Sequence, residues 1–163
     1  MQHEAVHHFE APIAAVWAMF TDPEAHVTKF DSMGHRDIKV LETTNDGTEF
    51  VIKIERVVEV DLPGFARKVL KPSNTVISTD RWRDEGDGTY GGGFVLDTIG
   101  APVDIKGTTR LEPDGDRTTY HVTFELNVNV PLIGGKIANW AKGDALEQLQ
   151  AEFDAGDAWL ASH

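Results

Sequence analysis

The sequence predicts an α+β fold: a curved antiparallel sheet of about six to seven strands wrapped round one long C-terminal helix, with two short helices after the first strand. Three observations predict it. Apolar residues alternate with polar ones over several segments between Ile38 and Val130, and short turns separate those segments. Helical spacing appears only just after the first strand, in one short interruption, and over Leu132 to Leu160. The turns are too short for crossover connections, so neighbouring strands run antiparallel.

Val6 to Phe9 reads as the first strand. In the segment that follows, Ile13, Val16, Trp17 and Phe20 keep the i, i+3, i+4, i+7 spacing of one helix face. Pro12 suits the first helical position. Asp22-Pro23 then starts a second helix, with Asp22 as cap, Pro23 as first residue, and Val27 and Phe30 on the buried side.

From His35 the period changes to two. Ile38 and Val40 precede an Asn45-Asp46-Gly47 hairpin signal, and Phe50, Ile52 and Ile54 follow it. Leu62, Phe65, Ala66, Val69 and Leu70 break the alternation and share a helical face, which Lys71-Pro72 stops. Four strands follow: Val76 to Arg83, Tyr90 to Thr98, Val103 to Leu111, and Thr118 to Val130. Their turns are Glu85-Gly86-Asp87-Gly88, Gly100-Ala101-Pro102 and Pro113-Asp114-Gly115. The final helical stripe is Ile133, Ile137, Trp140, Ala141, Ala145, Leu149, Phe153 and Leu160. At 1.5 Å per residue that helix is roughly 40 Å long. Gly143 and Gly156 inside it each weaken it by about 1 kcal/mol.

A sheet with one apolar face needs a cover, and only the terminal helix is long enough. A curved sheet round such a helix leaves space between the two, which is where a ligand fits.

With 163 residues, 40% of them apolar, the chain is one domain's worth and large enough to bury a core. No apolar run reaches the ~18 residues of a membrane span. The start Met1-Gln2-His3-Glu4 lacks the basic and apolar stretches of a secretory signal, so the expected location is cytoplasmic. Net charge is −12, from 15 basic and 27 acidic residues. That field repels phosphate backbones and anionic membranes, so nucleic acid and stable membrane insertion are not expected. Cysteine is absent, which removes disulfides, thiolate catalysis and thiolate metal sites, and fits a reducing compartment.

Two stretches carry a resemblance to a known family. They are Ala15-Val16-Trp17-Ala18-Met19-Phe20-Thr21-Asp22-Pro23 and Val130-Pro131-Leu132-Ile133-Gly134-Gly135-Lys136. With them the order of elements resembles the START-like superfamily (SRPBCC, Bet v 1-like), the helix-grip fold of the major birch pollen allergen, lipid-transfer START domains and polyketide cyclases. Asp61-Leu62-Pro63 and Asp80-Arg81-Trp82 look like an uncharacterised actinobacterial, DUF2505-type branch of it. The resemblance covers nearly the whole chain, residues 1–163, as a single START-like ligand-binding domain. It implies a hydrophobic cavity and lipid binding. It names no activity, because the superfamily hosts carriers, receptors and enzymes alike.

The expected cavity wall is Phe50, Ile52, Ile54, Trp82, Phe94, Leu96, Ile105, Tyr120, Val122, Phe124 and Leu126, closed by Leu149 and Phe153. The alternative is that these side chains fill a solid core; the resemblance tips the expectation toward a cavity. Asp80 shares strand parity with Trp82 and points inward, as an anchor for a ligand hydroxyl, a general acid, or a rim residue paired with an arginine. Asp144 and Asp157 on the terminal helix pose the same question. Tyr120 either offers its hydroxyl to the cavity or packs as a core aromatic.

Gly91-Gly92-Gly93 lacks the Lys-Ser/Thr and the helix of a phosphate loop, and reads as a bulge or sharp bend. Seven histidines do not assemble a metal motif: His7 and His8 point to opposite faces, and His26, His35 and His121 are scattered. Serines are few and no Ser-His-Asp set is recognisable. Leu62 to Leu70 could form a lid hinged at Pro63 and Gly64, with Arg67 and Lys68 as a basic pair, or a packed connector.

Two functional readings follow. One is non-catalytic binding or carriage of a small hydrophobic ligand such as a lipid, fatty acid, steroid or polyketide-like molecule. The other is a cyclase-, dehydratase- or hydrolase-type enzyme using the same cavity, with Asp80 and Tyr120 as its candidate groups. Neither requires a metal, a nucleotide or a flavin.

Overall fold

The computed structural model describes residues 2–163. Seven antiparallel strands form one sheet: β1 (Gln2–Phe9), β2 (Arg36–Asn45), β3 (Glu49–Glu59), β4 (Ser73–Asp84), β5 (Tyr90–Thr98), β6 (Val103–Asp114) and β7 (Arg117–Val128). Their spatial order is β1-β7-β6-β5-β4-β3-β2. Helices α1 (Ile13–Phe20) and α2 (Pro23–Ser32) therefore join the two edge strands, and α3 (Gly134–Ser162) packs along β7 and β1. This is the helix-grip architecture, with two short helices after the first strand and the long helix at the C-terminus.

Local chemistry explains the element ends. Asp22 accepts a hydrogen bond from the Glu24 N–H at 2.9 Å, capping α2 ahead of Pro23. Pro12, by contrast, lies before α1: its extended backbone (ψ 155) makes it the cap residue, and the helix begins at Ile13. The β2–β3 hairpin uses Asn45 Oδ1, which accepts from Gly47 N at 3.0 Å, and Asp46 Oδ1, which accepts from Thr48 N at 2.9 Å. Gly47 has φ 90, a conformation glycine adopts without strain.

Three further expectations change. The helix expected over Leu62 to Leu70 is a single 3-10 turn at Gly64–Ala66, because a segment opened by Pro63-Gly64 is too short to propagate α-helical hydrogen bonds. Its apolar residues are still buried: Leu62, Ala66 and Leu70 pack against Ile137, with Trp140 beside them. Pro113 does not turn the chain but pairs with Thr118 at the end of β6. The β4–β5 register runs unbroken from Val76↔Thr98 to Asp84↔Tyr90, so the Gly91–Gly93 run makes no bulge. Its purpose is close approach: a Cβ on Gly92 would sit 1.8 Å from the Arg81 carbonyl oxygen.

The interior has two apolar clusters. The larger joins Phe9, Val16, Phe20, Trp82, Tyr120 and Phe153 beneath α1 and the C-terminal half of α3. The smaller joins the Gly64–Ala66 turn to the start of α3. A cavity whose lining draws on both lies between sheet and helix.

Candidate functional site

The cavity holds about 180 Å³. Strand alternation builds its apolar wall: Val58 from β3, Val76 from β4, Phe94 and Leu96 from β5, Val103 and Ile105 from β6, and Val122, Phe124 and Leu126 from β7. From α3 come Trp140, Ala141, Ala145 and Leu149, and Leu62 and Leu70 close the end beneath the 3-10 turn.

One end of the wall is polar. Arg56 is the inward residue of β3 after Ile54, and it is only 4% exposed. Its Nε–H donates to Nδ1 of His35 at 3.1 Å, and its Nη1 donates to the Ser78 hydroxyl at 2.8 Å. The guanidinium lies 3.7 Å above the Phe30 ring, a cation–π contact. Among the described residues no carboxylate pairs with it within 4.0 Å, and Nη2 has no hydrogen-bond partner. His35, Gln148 and Glu152 complete this end of the lining. Glu152 forms an ion pair with Lys29 at 3.0 Å.

Burial sets the charge states. It pushes the Asp80 carboxyl up to about 6, with Lys29 pulling the other way. It pushes His26 down to about 3 and His35 down to about 4, with the cations Lys29 and Arg56 respectively adding to the effect. Both imidazoles are therefore neutral at pH 7. Nε2 of His26 carries its proton and donates to the Phe20 carbonyl at 2.8 Å. Burial opposes ionisation of Glu152, but the Lys29 ion pair outweighs it and holds that carboxyl below its usual range. Asp144 is pushed up by burial, with Glu147 adding.

Of the residues singled out by sequence, Phe94, Leu96, Ile105, Val122, Phe124, Leu126 and Leu149 line this cavity. Phe50, Ile52, Ile54, Trp82, Tyr120 and Phe153 are instead packed into the larger cluster, where aromatic rings fill the space. Tyr120 stacks with Phe9 at 5.9 Å and meets Phe153 edge-on at 5.7 Å, so it is a core aromatic facing away from the cavity. Asp80 points inward but does not reach the cavity wall, and it has no ion pair. Asp144 lines the cavity; Asp157 instead accepts from His7 Nε2 at 2.9 Å, outside it. Arg67 Nε donates to the Leu62 carbonyl at 3.3 Å, closing its own turn, while Lys68 is exposed.

Sequence reasoning missed Arg56, His35, Lys29 and Glu152. Arg56 had a signal, since it occupies an inward slot of the Phe50-Ile52-Ile54 alternation. The other three had none, because their meeting depends on how α2 and α3 pack.

Comparison with known proteins gives three kinds of finding. A family model described as "Protein of unknown function (DUF2505)" matches residues 4–160. An uncharacterised protein of Mycobacterium tuberculosis is 30% identical over 109 residues, which is 64% of this chain and 61% of that protein. The alignment thus spans less than two thirds of the relative's length. Among solved structures, Ara h 8.0201 superposes with a TM-score of 0.66 at 17% identity, covering 100% of this chain and 99% of that one. The human StarD13 (DLC2) lipid transfer and protein localization domain superposes with a TM-score of 0.57 at 17% identity, covering 96% and 74%. At these identities the likeness is one of fold alone, the helix-grip architecture described above.

Proposed function

The chain belongs to the DUF2505 family, and from that premise we propose that residues 1–163 are a single domain that binds and carries a small hydrophobic molecule without transforming it. The observation that carries this reading is the cavity of about 180 Å³ between sheet and helix, walled by aliphatic and aromatic side chains. An apolar void of roughly 150 Å³ is enough to take up benzene. The volume here suits one or two rings or a short chain. A steroid or a two-chain lipid would need the end beneath Leu62 and Leu70 to open, since sites for drug-sized ligands run to roughly 300 Å³ and above. The StarD13 domain that shares this fold is a lipid transfer and protein localization domain, which agrees with this class of ligand. The acidic surface argues against nucleic acid as a partner.

Native mass spectrometry of the protein purified from cells, with organic extraction of anything that co-purifies, tests the reading. A bound apolar small molecule is expected in the wild type and absent in Leu126→Trp, where the larger side chain fills the void. Equal occupancy in both would remove the cavity as the site.

One observation favours the enzymatic alternative. Asp80 is an interior carboxyl without an ion pair, held up to about 6, near the value that suits a general base. It stands behind the cavity wall, however, so a bound molecule does not meet it. If Asp80→Asn abolished turnover of any cavity-bound substrate, the carrier reading would fall.

A further inference from the structure

The apolar wall leaves open which end of a ligand goes where, and one side chain answers that. Arg56 is buried and lines the cavity, and its guanidinium offers five N–H donors and no acceptor. One N–H is used on His35 Nδ1 and one on Ser78 Oγ. Nη2 donates to no protein group among the described residues, which leaves it for a molecule in the cavity. Resting on the carrier reading above, we propose that Arg56 anchors the polar end of the ligand and that this end is a neutral carbonyl oxygen, as in a ketone or ester, rather than a carboxylate.

Charge balance decides against the carboxylate. Two cations serve this end of the cavity and the ground behind it: Arg56 in the lining, and Lys29 next to it. Two carboxylates answer them: Glu152 in the lining, and Asp80, which acts on Arg56 from β4. The histidines here, His26 and His35, are neutral. A ligand carboxylate would add a third negative charge in a place that burial already makes unfavourable for charge. A neutral carbonyl accepts from Nη2 without disturbing the balance.

Three probes that share one bicyclic frame test this on the full chain at pH 7.5: indane, 1-indanone and indane-1-carboxylate. Dissociation constants from titration calorimetry are expected to place indanone about tenfold tighter than either of the others, which corresponds to about 1.4 kcal/mol. In Arg56→Met, indanone loses its advantage and binds no tighter than indane does to the same variant. Should that variant not fold, the ranking on the wild type decides alone. Equal binding of indane and indanone overturns the anchor and leaves the cavity standing; carboxylate binding tightest overturns the neutral end. If indane itself does not bind, the cavity reading fails and the anchor with it.

Discussion

The Nε–H of Arg56 donates to Nδ1 of His35 at 3.1 Å, so this imidazole must leave that nitrogen unprotonated for the guanidinium to keep its place. His35 and His26 are both buried neutral, at about 4 and about 3 against 6.5 in an unfolded chain. Between those values the unfolded state binds the protons first, so stability is full above about pH 6.5 and is lost as pH falls toward 4 and below. Each group contributes a slope of about 1.4 kcal/mol per pH unit. His26→Gln keeps a donor for the Phe20 carbonyl and removes one titration. Urea unfolding from pH 8 to pH 4 is expected to show a shallower acid slope for this variant; equal slopes would mean that His26 is not buried neutral.

Asp80 acts with the opposite sign. Its native value of about 6 lies above the unfolded 3.8, so its ionisation destabilises the fold as pH rises through that window. Asp80→Asn is expected to raise stability at pH 8 by about 2 kcal/mol, and to leave the wild-type and variant curves converging below pH 4. A variant less stable than wild type at pH 8 would show that Asp80 is held by a favourable interaction instead.

The two glycines inside α3 respond in opposite directions. A Cβ on Gly143 meets nothing within 4 Å, so Gly143→Ala gains helix propensity and stabilises by about 1 kcal/mol. A Cβ on Gly156 would sit 2.9 Å from Cε1 of the fully buried Phe9 ring, so Gly156→Ala destabilises by about 1–3 kcal/mol through overpacking. Denaturation midpoints of the two variants measured side by side check the difference in sign.

The ion pair of Lys29 with Glu152 ties α2 to α3. Lys29→Met strands the Glu152 carboxylate and is expected to lower stability by about 2–3 kcal/mol, while Lys29→Met with Glu152→Leu recovers most of that loss. A double variant no better than the single would show that the two changes do not couple.

Much of this arrangement was legible in the sequence because strand parity is a two-residue code. Phe94, Leu96, Ile105, Val122, Phe124 and Leu126 announce their shared face by alternation alone, and Leu149 by its place in the helical stripe. What alternation cannot encode is the gap between sheet and helix. Trp82, Tyr120 and Phe153 obey their own element's pattern, yet they pack solidly because α1 brings Trp17 and Phe20 onto Trp82 and Tyr120, and Tyr120 meets Phe153 edge-on. The polar end was hidden for a related reason. Lys29, His35 and Glu152 meet only once α2 and α3 have docked, and in the sequence each reads as an ordinary surface residue. Gly156 likewise reads as a weak point in a helix until Phe9 is placed against it.

The central claim is that an apolar molecule enters the space between sheet and α3. Its most direct measurement is a methyl-labelled NMR titration with indane. The account predicts shifts at Leu96, Ile105, Leu126 and Leu149, which saturate together and disappear in Leu126→Trp. Shifts confined to exposed methyls such as those of Val6 and Val95, or the same shifts persisting in the filled variant, would contradict it.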